Sequence, residues 1–138
     1  MRNGRRVART ALITTAAAVA AAVLVPTAAQ AGTNATIATV WDRYCNNGIA
    51  VEAWFFHYGD QFKVSDACAD GHSAQLQVDV EPMAGPNGYD WTYTESGGWG
   101  AEHEFQRDYP EGLKISIRAC TSEGSRAIAC GTWLNGTT

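Results

Sequence analysis

The groups able to do chemistry in this 138-residue chain are four cysteines, three histidines and one Glu-His-Glu run. Cys45, Cys68, Cys120 and Cys130 form an even set in a short chain. In an oxidising compartment such a set closes into two disulfides. Three pairings are open, and the local one, Cys45–Cys68 with Cys120–Cys130, needs only short loops. Each bridge then contributes about 3 kcal/mol in the chain-entropy picture. A zinc site would use the same sulfurs as thiolates, but the chain has no C-x-x-C pair, so no metal site is expected. Glu102 and Glu104 have the parity to share one strand face, as the carboxylate pair of a glycoside hydrolase must. A solvated strand edge explains them as well. His57, His72 and His103 are scattered. His72 ends the polar run Asp66-Ala67-Cys68-Ala69-Asp70-Gly71-His72, whose spacing does not fit the calcium loop of an EF-hand. There is no G-x-S-x-G, phosphate loop or Cys-His nucleophile pair. The chain therefore reads as non-catalytic, with no cofactor.

Binding chemistry has better material. Five tryptophans stand at 41, 54, 91, 99 and 133. In Trp54-Phe55-Phe56-His57-Tyr58, strand parity puts Trp54, Phe56 and Tyr58 on one face and Ile49, Val51, Ala53 and Phe55 on the other. In Tyr89-Asp90-Trp91-Thr92-Tyr93, residues Tyr89, Trp91 and Tyr93 share a face, and Trp99 follows a Gly-Gly turn. Flat rings with hydroxyls and a carboxylate suit the C–H faces and polar edges of sugars. They also suit a protein partner, where Trp and Tyr are favoured anchors. Trp54, Tyr89, Trp91, Tyr93 and Trp99 are the candidate ligand-binding residues. The alternative for both clusters is a core face. The segment Pro82 to Gly88 reads as an exposed loop stiffened by proline.

The elements that must position these residues are strands. Leu113, Ile115, Ile117 and Ala119 alternate with Lys114, Ser116 and Arg118. Ala74, Leu76, Val78 and Val80 alternate with Gln75, Gln77, Asp79 and Glu81. Period-two alternation of this kind marks half-buried strands of antiparallel sheets. Further strands are expected near 35–45, 49–58, 61–67, 89–95, 101–107 and 126–134. Turn signals separate them, among them Asn46-Asn47-Gly48, Gly59-Asp60, Gly85-Pro86-Asn87-Gly88 and Glu123-Gly124-Ser125. The fold class is all-β: an antiparallel β-sandwich or small barrel of about 7–8 strands with two disulfides. Cys120 sits on the polar face with Lys114, Ser116 and Arg118. Either its disulfide lies on the outer face, or a bulge after Ala119 shifts the register.

Residues 1–31 have the order of a secretory signal peptide: Arg2, Arg5, Arg6 and Arg9, an apolar run from Ala11 to Val25, then Ala29-Gln30-Ala31. The apolar run is short for a membrane span of about 20 residues. The expected product is a secreted, extracellular β domain over 32–138, with no membrane anchor after cleavage. The leader takes four of the 10 basic residues with it and leaves all 14 acidic ones, so the net charge moves from −4 to −8. Such an acidic surface repels phosphate backbones and excludes nucleic acid as a partner.

The leader, the four-cysteine β pattern and the segments Cys68-Ala69-Asp70-Gly71-His72 and Arg118-Ala119-Cys120 resemble small secreted two-disulfide β proteins of actinomycetes. That resemblance implies export and an all-β fold and brings no activity with it. Two other actinomycete groups are similar in size and disulfide count. The small α-amylase inhibitors of the tendamistat type present a Trp-Arg-Tyr motif, to which Trp41-Asp42-Arg43-Tyr44 is the nearest match, interrupted by Asp42. The apo-proteins that carry enediyne chromophores are similar in architecture alone. The expected function is recognition of a protein or polysaccharide through exposed aromatics. The alternatives are inhibition of a secreted amylase or protease through Trp41–Tyr44 or the 82–88 loop, and a small hydrolase.

Overall fold

The computed structural model describes residues 36–138, so the signal peptide expected over 1–31 lies outside the described residues. Among the described residues nine strands follow one another without a helix: β1 (Thr36–Trp41), β2 (Ile49–Phe56), β3 (Gln61–Asp66), β4 (Ser73–Val80), β5 (Trp91–Glu95), β6 (Glu102–Gln106), β7 (Lys114–Glu123), β8 (Arg126–Cys130) and β9 (Leu134–Thr137). They build two antiparallel sheets, one in the order β1-β2-β3-β6 and the other in the order β5-β4-β7-β8. β9 pairs with the first half of β7, and β8 with its second half. One ten-residue strand thus carries two short partners along one edge.

The inner faces follow the alternation in the sequence. Ala38, Val40, Val51, Ala53, Phe55, Phe62 and Val64 come from the first sheet, and Ala74, Leu76, Val78, Ile115, Ile117 and Ala119 from the second. Phe55 and Phe62, both fully buried, meet at a ring distance of 4.9 Å at the centre of the first sheet. Fully burying a side chain of this kind contributes about 1.5–3 kcal/mol. On the outer side of the first sheet stand Trp54 and Phe56, both half-exposed, together with Lys63, Glu102 and Glu104.

Both disulfides have the local pairing. Cys120 faces Cys130 directly across β7 and β8 and is level with Gln75 of β4. The bridge therefore lies on the outer face of the second sheet. The register shift falls two residues beyond Ala119, between Thr121 and Ser122. The 126–134 stretch differs from the single strand expected there. It breaks at Gly131 into β8 and β9, and Gly131 N donates to Ala119 O at 2.9 Å.

The polar face of β4 was expected in water, yet Gln75, Gln77 and Asp79 are 0%, 2% and 4% exposed. Several segments share the cover: Arg118 bonds Gln77, and Gln75 bonds Thr94 and Ser125. The 82–88 loop, largely exposed as expected, reaches the Asp79 end, where Ala84 N donates to the carboxylate at 3.0 and 3.1 Å. Trp133 completes the cover by donating its indole N–H to Pro86 O at 3.2 Å. Burying amides costs free energy unless they are bonded. Here they bond one another.

Candidate functional site

Trp91 and Tyr93 face inward, between the two edge strands β5 and β6. Trp91 meets Phe62 edge-on at 5.1 Å and Phe105 at 5.3 Å, and donates Nε1–H to the Tyr109 hydroxyl at 2.8 Å. Tyr93 stacks on His103 at 4.3 Å and 16°. These rings close the open side of the sandwich and pack against the core. Their parity matches Leu76 and Val78, to which they are registered, so they share the core side. Tyr89 precedes β5 and is exposed on the other face. Trp54 is on the outer face of the first sheet, with the Lys63 ammonium 5.0 Å from its ring. The five candidate residues therefore do not form one site.

What comes together instead is one end of the sandwich. Trp41, Tyr44 and Trp99 are 71%, 76% and 69% exposed there. The β1–β2 connection that carries Tyr44 is closed by its own backbone: Asp42 N to Gly48 O at 3.0 Å, Cys45 N to Asp42 O at 3.1 Å and Gly48 N to Cys45 O at 3.0 Å. Asp42 Oδ1 accepts from Tyr44 N at 2.9 Å, and Arg43 donates to the Tyr44 hydroxyl at 3.0 Å. Gly48 is needed twice. Its φ is +77°, and a Cβ there would meet the Trp41 ring at 2.7 Å. Cys45–Cys68 ties this connection to the segment after β3, with Cα atoms 5.4 Å apart.

Trp99 rises from the β5–β6 turn on the same side. Asp66 holds the base of that turn: Gly100 N donates to Asp66 O at 2.8 Å and Asp66 N to Ala101 O at 3.0 Å. Tyr44 and Trp99 flank a hollow of about 360 Å³, with Asn46, Asn47, Ala67, Cys68 and Ala69 completing its wall. No charged side chain lines it. A volume of this size lies within the range of small-ligand sites.

Beneath the turn, the Asp66 carboxyl is 2% exposed. Burial raises its pKa above the usual carboxylate value. The Cys68 N–H bond at 3.2 Å opposes the rise, and Asp70 and Glu95 add to it. Oδ2 of this carboxyl has no partner among the described residues.

The carboxylate pair has other work. Lys63 Nζ lies 2.8 Å from Glu102 and 3.9 Å from Glu104. The Lys63 hydrogen bond holds Glu102 below the ordinary range, the opposite of what a general acid needs. Cys45, Cys68 and Asp70 converge within 4.8 Å, but the two sulfurs are bonded to each other and offer no thiolate to a metal. His57 and His72 join no carboxylate or cysteine cluster among the described residues.

A second hollow, about 650 Å³, lies at the opposite end between Gly59–Asp60 and the 106–111 segment. Its only ring is Tyr109, whose hydroxyl is already bonded to Trp91. It offers charge without an open stacking surface.

The sequence marks Trp41–Tyr44 and Trp99 separately and gives no sign that they meet. The signal that joins them is the local Cys45–Cys68 pairing, which brings the 42–48 and 67–70 segments together. No protein-family model, curated protein or solved structure matches this chain.

Proposed function

We propose that the protein is an exported, non-catalytic recognition domain that binds an extracellular glycan with Trp41, Tyr44 and Trp99. The observation that carries this reading is the exposure of three large rings on one braced end. A ring left in water forgoes much of the about 1.5–3 kcal/mol that its burial would contribute. Aromatic residues held out by a disulfide and by backbone bonds suit a ligand that supplies the missing cover. The hollow beside them is walled by two asparagine amides and no charge. Amide donors and acceptors next to flat rings match a neutral sugar, whose C–H face stacks while its hydroxyls bond. Rigid side chains also lose little entropy on binding. The two disulfides fit an oxidising extracellular location. Among the described residues no helix is long and apolar enough to cross a membrane.

The test is isothermal titration of the protein with a panel of neutral and acidic polysaccharides. Saturable binding to a neutral glycan, weakened about tenfold or more by Trp99→Ala, supports the reading; a tenfold loss is about 1.4 kcal/mol. Binding that survives loss of both Trp41 and Trp99 contradicts it.

A second reading has one specific observation in its favour. Trp41-Asp42-Arg43-Tyr44 forms an exposed, cross-braced turn, with the Arg43 guanidinium 5.0 Å from the Tyr44 ring. Such a turn suits insertion into the cleft of a secreted hydrolase. Slowing of an α-amylase at micromolar concentration, abolished by Arg43→Ala, would select this reading over glycan binding.

A further inference from the structure

On the outer face of the β5-β4-β7-β8 sheet, away from the aromatic end, Arg118 is positioned with unusual care. Its Nε donates to Gln77 Oε1 at 2.7 Å. Gln77 is fixed in turn, because its Nε2 donates to Gln75 Oε1 at 2.8 Å. Gln75 Nε2 then donates to Thr94 Oγ1 and Ser125 O, each at 3.1 Å. Both glutamines are buried. The Trp133 ring lies 4.4 Å from the guanidinium carbon and is tethered through Pro86 O. The amide relay sets the guanidinium's rotation, and the indole sets its plane.

This arrangement uses Nε and one face and leaves the Nη pair. The ion pairs among the described residues involve Lys63 alone, so no carboxylate meets Arg118 although the chain has 14 acidic residues. The Nη atoms are also absent from the buried unpartnered atoms, which are Asp66 Oδ2 and His72 Nδ1. Arg118 itself is partly buried. Partial burial disfavours the cation's charge, which an arriving anion would restore.

We propose that Arg118 is a binding site for a carboxylate ligand. Two coplanar Nη–H donors match the two oxygens of a carboxylate in a bidentate pair, and a pre-set guanidinium loses little freedom on forming it. A monoanion fits this acidic domain better than a phosphate, because among the described residues no second cation contacts Arg118 and the field of a domain at −8 opposes a dianion. The carboxylate can belong to a sugar acid or to an amino acid; the chemistry at Arg118 is shared.

The experiment is an NMR titration of the ¹⁵N-labelled protein, following the Arg118 Nε–H and Trp133 Nε1–H signals. The probes are sodium glucuronate and N-acetylglycine, with sodium chloride at matched ionic strength. Both signals are expected to shift and saturate with one or both carboxylates and not with chloride. A tighter response to glucuronate assigns a sugar acid, and a tighter response to N-acetylglycine assigns an amino-acid carboxylate. Arg118→Lys keeps the charge but loses the planar fork, and is expected to weaken binding about tenfold or more. A linear response equal to that of chloride overturns the proposal. So does unchanged affinity in Arg118→Lys.

Discussion

Gly131→Ala tests the packing that joins the two sheets. At this break between β8 and β9, a Cβ would stand 2.2 Å from Thr39 O and 3.2 Å from Thr39 C. An unstrained contact needs about 3.5 Å, so β1 and the 131 segment must part by more than about 1 Å. Neither atom belongs to a flexible side chain. Overpacking of this kind costs about 1–3 kcal/mol. The same movement pulls Gly131 N from Ala119 O, now 2.9 Å away, and a hydrogen bond contributes about 1 kcal/mol more. The expected loss is about 2–4 kcal/mol, a large share of a total of about 5–15 kcal/mol. Urea unfolding with both disulfides intact reads it directly. With a slope of about 1–1.5 kcal/mol per molar for a domain of this size, the midpoint should fall by about 2 M. β1 ends at Trp41, so the variant should also perturb the aromatic end. A midpoint within about 0.3 M of the parent would refute the close approach of Gly131 to β1.

Phe62→Ala removes the ring at the centre of the inner face, which touches Phe55, Trp91 and Phe105. A loss of about 3–5 kcal/mol is expected in the same assay, and a loss below about 1 kcal/mol would contradict its central place. Asp66→Asn keeps an acceptor for Cys68 N and removes the titration. The folded-state pKa of Asp66 is raised, chiefly by burial, so its stabilising protonation is complete below the ordinary value of 3.8 and is lost as pH rises through the raised value. The stability of the parent relative to the variant should therefore fall as pH rises, with a slope no steeper than about 1.4 kcal/mol per pH unit. A flat difference from about pH 3 to pH 8 would show that Asp66 titrates no differently in the folded chain.

The core was legible because one sheet face against another imposes period two, and β2, β4 and β7 keep it. The disulfides were legible because short loops favour local pairing. β9 was hidden because Asn135-Gly136 carries turn chemistry. Its strand exists because β7 continues past β8 and offers a free edge at Lys114–Ile117. The buried glutamines were hidden because alternation separates two faces without saying what covers the second. Here Arg118 bonds Gln77, and Gln75 bonds Ser125, 50 residues away in sequence. Trp91 and Tyr93 show the same ambiguity from the other side, since an aromatic face suits either a ligand or a neighbouring sheet. The aromatic end was half legible. Its rings stand in the sequence as Trp41, Tyr44 and Trp99, but their meeting depends on two turns and a disulfide that bring distant segments to one edge.

The measurement that most directly tests the recognition reading is intrinsic tryptophan fluorescence of the protein against a panel of neutral polysaccharides, with Trp41→Ala and Trp99→Ala run alongside. The expected result is a saturable blue shift with at least one glycan, reduced acrylamide quenching in its presence, and loss of both effects when Trp41 and Trp99 are removed together. A glycan response that persists in the double variant, or no response to any glycan while Trp41 and Trp99 remain freely quenched, would contradict it.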